Sequence, residues 1–447
     1  MEKKKKILLG VILGVIVLAG IAVVAFTMNG TLSGRAKKTE AQVSDNKKQK
    51  VAASRQKLLM EQFKGIYGSL HNFEKLIAKG ESGTDIYFTG AAFISETDFV
   101  VIGNSYKNDG NEVKTFIKRF AKGSDEALWT KEYAENYLKG VTVNDNGDIL
   151  VVGGGDFYGP AFIIKYNGYG EELWKKEWKG SAEAMIVDDE NNYVILGSNS
   201  IVKFDNSGKQ LWKKSLGKED ELSLLAGVQD ADQNYVIVGV SPSGEQNSEI
   251  GKKQAIIAKY SKSGELIWKK EYSETADDAF YSVKALSDGG VVVAGSSNTG
   301  AYNDDGVRKG NMDGIIIRYD SDGNITSKIA YDSAAPDESF SDLKVVSLNG
   351  KDDIIIAVGE SYDMDKVTGS IMINATTKAL MVVFDGDKVL YEHTLTGYDV
   401  SSFKTISFHN NDWKNCILVG SVFDDKSRKG GEPFEMFNGG SQGLLMF

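Results

Sequence analysis

The chain has 447 residues, a formal net charge of −10, three histidines and one cysteine. A single cysteine excludes an intrachain disulfide, and three histidines leave almost no material for a zinc site or a histidine-based triad. The charge is unevenly held: residues 1–64 carry 13 Lys and Arg against four acids, or +9, so residues 65–447 carry −19, which would repel a phosphate backbone and argues against nucleic acid as a partner.

Residues 1–6 are a basic tail, with Lys3 to Lys6 directly before an apolar run. That run, residues 7–26, is 20 uncharged residues, the length a helix needs to cross about 30 Å of hydrocarbon. The lysines predict a single-pass signal anchor in the cell membrane, its N-terminus cytoplasmic and the rest extracytoplasmic. A cleaved signal peptide is the alternative, with Val23-Val24-Ala25 as a loose cleavage site, but its apolar region is ordinarily only about 7–15 residues. Gly10 and Gly14 form a GxxxG pair, for which the plainer reading is the abundance of small residues in membrane helices. Residues 27–70 read as a basic tether. Within it Leu58, Leu59, Phe63 and Ile66 fall near one helical face, which suits a short amphipathic helix or, equally, a solvated stalk.

From residue 71 to 447 the chain repeats. The stretch Ala255 to Tyr272, AIIAKYSKSGELIWKKEY, shows the unit: an apolar run rich in strand formers, a Ser263-Gly264 turn, then Ile267, Trp268 and Tyr272 interrupted by lysines. Apolar strands ending in glycine recur at Phe99 to Gly103, Ile149 to Gly153, Tyr193 to Gly197, Tyr235 to Gly239, Val291 to Gly295, Ile354 to Gly359 and Ile417 to Gly420. Their glycines lie 42 to 64 residues apart, in the range of propeller blades. A third strand follows each, and a fourth comes after a glycine turn, with Trp129, Trp174, Trp212 or Trp268 in four units and Ile325 to Tyr331 or Val389 to Leu395 in two others. The expected architecture is all-β, a seven-bladed β-propeller of four-stranded antiparallel blades. The last unit stops after its third strand, Leu444 to Phe447, so Phe73 to Ala78 is expected to supply the missing strand and close the ring.

The pattern YxxxGxxxWKKxY at Tyr260 to Tyr272, with FDNSGKQLWKK at Phe204 to Lys214, resembles the repeats of pyrroloquinoline-quinone-type (quinoprotein-like) propellers. That group includes outer-membrane-assembly lipoproteins of the bacterial cell envelope, which share the fold without the cofactor. The run DDAFYSVKALSDGGVVVAGSS, Asp277 to Ser297, is similar to repeats of secreted bacterial propeller proteins. The resemblance spans roughly residues 72 to 447 and implies a blade, not an activity. Quinone-dependent members imply a channel cofactor with calcium, eight blades and often a vicinal disulfide, which seven units and one cysteine do not match.

Other chemistries have less to stand on. Asp205-x-x-Gly208-x-x-x-Trp212 departs from the spacing of a sialidase-type box, and beyond the tether the only arginines are Arg119, Arg308, Arg318 and Arg428. Asp230-x-Asp232-x-Asn234 imitates the start of a calcium loop, but Tyr235 stands where glycine is required, so it reads as a hairpin turn, as do Asn144 to Asp148 and Asp320 to Asn324.

An acid precedes the first strand of most units: Asp85, Glu135, Asp220 or Glu221, Asp277 or Asp278, Asp337 or Glu338, and Asp399. Since first strands line a propeller's axis, these carboxylates are expected to ring one mouth of the channel and raise one another's pKa, with calcium the one candidate ion. The plainer alternative is that each accepts hydrogen bonds from backbone amides at its own blade. Long loops at Val240 to Gln254, Ser297 to Asp313, Glu360 to Lys378 and Val422 to Gln442 open on that same face, with Tyr302, Tyr362, Phe434 and Phe437 among polar residues. They complete an expected binding face. The function expected is a protein-binding or assembly scaffold for an envelope or membrane protein, with a basic segment as one candidate epitope. A small-ligand or cofactor-binding enzyme using the acidic channel mouth is the alternative.

Overall fold

The computed structural model describes residues 75–447 apart from 79–83, 108–112, 125, 135–136, 155–159, 199, 217–221, 243–252, 275–276, 299–311, 334–336, 349–351, 364–366, 369–370, 373–375, 399, 411, 424–440 and 447. The expected membrane span and tether lie outside these residues. Among the described residues no helix is long and apolar enough to cross a membrane.

β1 (Lys75–Ala78) comes first, and five antiparallel four-stranded sheets follow in chain order. They are β2 (Thr84–Phe93), β3 (Asp98–Lys107), β4 (Val113–Ala121) and β5 (Ala127–Ala134); then β6 (Leu138–Val143), β7 (Ile149–Gly153), β8 (Ala161–Tyr166) and β9 (Glu172–Trp178). The third holds β10 (Ala184–Val187), β11 (Tyr193–Leu196), β12 (Ser200–Phe204) and β13 (Gln210–Ser215), and the fourth β14 (Ser223–Gln229), β15 (Tyr235–Pro242), β16 (Lys253–Tyr260) and β17 (Leu266–Tyr272). The fifth holds β18 (Asp278–Ala285), β19 (Val291–Asn298), β20 (Met312–Tyr319) and β21 (Ile325–Tyr331).

The remaining strands depart from expectation. β22 (Asp337–Leu348), β23 (Asp352–Asp363), a small hairpin of β24 (Val367–Thr368) and β25 (Ile371–Met372), β26 (Thr376–Asp385) and β27 (Lys388–Thr394) cover the sixth unit. β28 (Val400–His409), β29 (Asp412–Phe423) and β30 (Ser441–Met446) cover the seventh. Apart from the small hairpin, these strands and β1 form one eight-stranded sheet, so the propeller has six blade sheets and not seven. The reason is an overhang. β26 pairs in register with its outer neighbour β27 only from Leu380 onward, and the Leu395 N–H adds one bond to the Ala379 carbonyl at 2.9 Å, so Thr376 to Lys378 are left open on that edge and Thr377 takes a parallel pairing with Val400 of β28. The Ser401 hydroxyl accepts the Ala379 N–H at 2.9 Å beside it. Closure itself is as expected: β1 pairs antiparallel with β30, from Lys75 opposite Met446 to Ala78 opposite Gly443.

Successive first strands touch, β2, β6, β10, β14, β18, β22 and β28 in turn, and β28 returns to β2, closing an inner ring. The repeat glycines explain its geometry. In β14 the register slips between Leu224 and Ala226, opposite Gly239, and in β18 between Phe280 and Ser282, opposite Gly295. A Cβ on either glycine would lie 1.9 Å from a carbonyl oxygen of the bulged strand. Only glycine lets the two backbones approach so closely. The apolar faces of successive sheets then meet in seams, such as Val236, Val238 and Ile257 against Phe280, Val283, Val293 and Ile315.

Tryptophan ties four of the seams at the far end of the blades. The Trp129, Trp174, Trp212 and Trp268 indoles donate to the carbonyls of Gly168, Asn206, Lys262 and Ser321 at 3.2–3.3 Å, each in the next blade's outer turn. The glycine of that turn packs on the same ring, as Gly264 does on Trp212, and its φ of +82° is the left-handed region. In the fifth blade, which lacks Trp, Ser327 donates to Asp387 at 2.6 Å instead. The outer strands otherwise face water with lysines such as Lys175, Lys213 and Lys269, a device that discourages edge-to-edge pairing.

Beneath the tryptophans lie buried ion pairs. Lys165 pairs with Asp148 at 2.9 Å, Lys203 with Asp188 at 2.8 Å and Lys259 with Asp230 at 2.7 Å. Asp230 also accepts the Asp232 and Asn234 N–H groups at 2.9 and 2.8 Å, which makes the calcium-loop look-alike a hairpin cap. Burial opposes ionisation of Asp188, but hydrogen bonds from Lys203, Asn192 and the Tyr235 hydroxyl prevail and hold its pKa below the usual carboxylate range. The Asp188 side chain is fully buried, and Lys203 is almost so.

Two outcomes follow for chemical denaturation. Lys203→Met leaves a buried carboxylate without its cation and should lower unfolding free energy by about 3–5 kcal/mol at pH 7. Because the folded pKa of Asp188 is depressed, that loss should shrink as pH falls through it. Gly264→Ala should cost about 1–2 kcal/mol from left-handed strain alone, and a wild-type melting curve would show the turn tolerates a side chain.

Candidate functional site

The connections between second and third strands, and those leading into each first strand, share one face of the ring, opposite the tryptophan turns. On that face the strands of the later units run further than the sequence indicated. β15 and β16 stay paired to Pro242 opposite Lys253, β19 and β20 to Asn298 opposite Met312, and β23 and β26 to Asp363 opposite Thr376. In the second and third units the matching strands are only four to six residues long. The face is therefore stepped, raised where the loops lengthen.

Of the predicted face, Asp85, Asp277, Asp278, Asp337 and Tyr362 are described; Glu135, Asp220, Asp399, Tyr302, Phe434 and Phe437 lie outside the described residues. The acids do not stand free around the channel. The Asp277 carboxylate accepts the Lys253 N–H at 2.8 Å, and Asp337 accepts the Met312 N–H at 2.7 Å. Each therefore caps the first residue of the third strand in the preceding blade. Asp278 is 1 % exposed and accepts the Glu274 N–H at 2.9 Å. Asp85 is buried and pairs in register with Tyr106. Asp277, Asp278 and Asp337 thus act as amide acceptors in the seams, and the amides belong to the preceding blade or the segment leaving it, not to their own blade.

One group of acids has raised pKa values, chiefly through burial. Burial pushes Glu338 up to about 7, against hydrogen bonds from the Ser333 hydroxyl and N–H, with further upward pressure from the Asp313 and Asp332 carboxylates. Burial, then Asp332 and Asp337, likewise raises Asp313. Among the described residues no group of three or more His, Cys, Asp or Glu side chains is arranged to hold a metal ion.

The structure adds Tyr87, Tyr106, Tyr137 and Tyr281, which sequence reasoning passed over, to the predicted Tyr362. Tyr106 packs edge-on to Tyr87 at 5.7 Å between ring centroids and tilted against Tyr137 at 6.3 Å, all three partly exposed. Tyr281, at the bulge of β18, is 37 % exposed. Tyr362, opposite Asp337 in register, donates from its hydroxyl to the Met312 sulfur at 3.3 Å and so spans two blades. The signal was present in the register: Asp85 lies opposite Tyr106, and Tyr87 is its diagonal neighbour.

Glu338 gives a pH test. Its folded pKa lies above the ordinary glutamate value, so the folded state holds the extra proton between about 4.5 and about 7, and its share of stability is lost as pH rises through that window. Glu338→Gln should flatten this fall and raise the melting temperature at pH 8; an unchanged slope would mean the carboxyl is ionised throughout.

Residues 114–312 match the family model described as outer membrane protein assembly factor BamB. A comparison with curated proteins returned no match. Similar solved structures include Sqt1 from Chaetomium thermophilum, 13 % identical over 83 % of this chain and 89 % of that one, with a TM-score of 0.48. The Pan2 WD40 domain of Neurospora crassa is 8 % identical over 83 % and 97 %, with a TM-score of 0.47. YCF48 bound to D1 peptide is 13 % identical over 84 % and 94 %, with a TM-score of 0.45. With its sheets arranged as blades, the chain is a β-propeller, and its residues 114–312 carry repeats of the pyrroloquinoline-quinone type.

Proposed function

We propose that this propeller is a protein-binding or assembly scaffold of the cell envelope, held at the membrane by residues 7–26 with the blades outside the cytoplasm. The observation that carries the reading is the stepped, tyrosine-bearing face, where Tyr87, Tyr106, Tyr137, Tyr281 and Tyr362 stand partly exposed on rigid inner and second strands or their lead-ins. Tyrosine offers large contact area, a polar tip and few rotatable bonds, which is why it is enriched where proteins meet. Support also comes from the matched family's description as an assembly factor. A partner with a basic segment suits a domain carrying −19 over residues 65–447. The reading requires no resident cofactor and no turnover, and calcium enters it only as a possible counterion to the acids of the face.

The test is crosslinking and co-purification of the full-length protein from its native membranes, beside a Tyr106→Ala, Tyr362→Ala double variant whose melting curve confirms folding. We expect one specific partner, with recovery reduced at least about tenfold by the double variant, the loss of roughly 1.4 kcal/mol. Unchanged recovery would remove the partner from this face, and the absence of any specific partner would sink the scaffold reading.

A further inference from the structure

The inner strands carry a charge opposite to that of the domain they support. From each bulge onward β2 and β14 bring no lysine or acid; β6 brings Lys139, the lead-in to β10 Glu183, β18 Lys284, β22 Asp342 and Lys344, and β28 Lys404. That is four lysines against two acids. Lys139 and Glu183 answer each other at 3.2 Å on one side of the ring.

On the other side Asp342 is already satisfied. It sits at the bulge of β22 and accepts the Ser282 hydroxyl of β18 at 2.7 Å, the Thr405 hydroxyl of β28 at 2.6 Å, the Ile406 N–H at 3.2 Å and the Leu343 N–H at 2.8 Å. The Lys284 ammonium lies 3.7 Å from it and donates to Ser282 and the Val283 carbonyl. One carboxylate thus joins three inner strands and is matched by one lysine. Lys344 lies two residues further along β22, on the same side by strand alternation, and its ammonium makes no hydrogen bond among the described residues. Burial, then the nearby Lys284, lowers its pKa to about 8, with Asp342 only partly offsetting them. At the same level of the ring Ala92, Thr142, Ile186 and Val228 bring no charge. A second cation beside a carboxylate already engaged is a place for an anion.

We propose that the axial space between β18, β22 and β28 binds a small oxyanion, a carboxylate or a phosphate group, between Lys344 and Lys284. Ser407 supplies a hydroxyl donor: it lies two residues beyond Thr405, which already reaches Asp342, so alternation places it beside Lys344. Enclosure by low-dielectric walls strengthens the attraction and draws anions past the acidic exterior. This site is separate from the tyrosine face and does not depend on the scaffold reading.

Titration calorimetry of the whole protein at pH 7 and low salt, with inorganic phosphate and with succinate, tests it. Saturable binding of at least one is expected, weakened at least tenfold in Lys344→Met and changed less than twofold in Lys139→Met. Phosphate alone would assign a phosphate-bearing ligand, succinate alone a carboxylate. A second readout, independent of the variant's folding, is the titration of Lys344 in reductively ¹³C-methylated protein, whose midpoint should move upward when the anion saturates. No saturable heat with either anion, equal binding by wild type and Lys344→Met, or a Lys344 midpoint that neither anion moves would each overturn the proposal.

Discussion

Everything in this propeller depends on how closely the first and second strands of a unit approach. Where β14 bulges, the Ser223 carbonyl occupies the space a side chain on Gly239 would need, and the same holds for Ala279 and Gly295. The bulge turns the inner strand toward the axis and increases its twist, so that the next sheet can lie against it. No blade buries both of its faces alone. Val238 and Ile257 of one blade are covered only because Phe280 and Val283 of the next arrive at that angle. Stability is therefore a property of seams, and the polar pairs are placed to serve them: Lys203 and Asp188 with Tyr235, and the tryptophans on their neighbours' turns.

That dependence explains what could be read from residues alone. Apolar runs ending in glycine mark second strands because glycine is required at the bulge, so the unit, its strand order and the closing strand were legible. The same signature hid its own logic: the glycine and tryptophan of one YxxxGxxxWKKxY repeat do not meet each other. Trp212 meets Gly264, one repeat later. Likewise an acid before each first strand was visible, but nothing in the spacing says that Asp337 caps Met312 across a seam. The merged sheet was beyond reach, because it turns on three residues of β26, Thr376 to Lys378, left without an outer partner. Tyr106 escaped notice because its neighbours are set by cross-strand register and not by sequence distance.

The two ends of the ring divide the labour. The tryptophan end is tightly cross-linked by turn caps, ion pairs and indole hydrogen bonds, and little of its polar chemistry is left unanswered. The other end carries acids whose pKa burial raises, among them Glu338, Asp278 and Asp313, with exposed tyrosines and strands of unequal height. Binding surfaces sit where a rigid frame tolerates such irregularity.

The pairing of β1 with β30 joins residues about 370 positions apart, Lys75 with Met446. The first strand of the propeller to leave the ribosome is thus among the last to find its partner. For nearly the whole of synthesis the growing arc presents an unsealed edge at each end, and the intermediate sheets must be held by their neighbours alone. Closure is then a single late event of very high contact order, and a slow one on topological grounds. A chain stopped a few residues short would have every blade nearly built and no way to shut the ring.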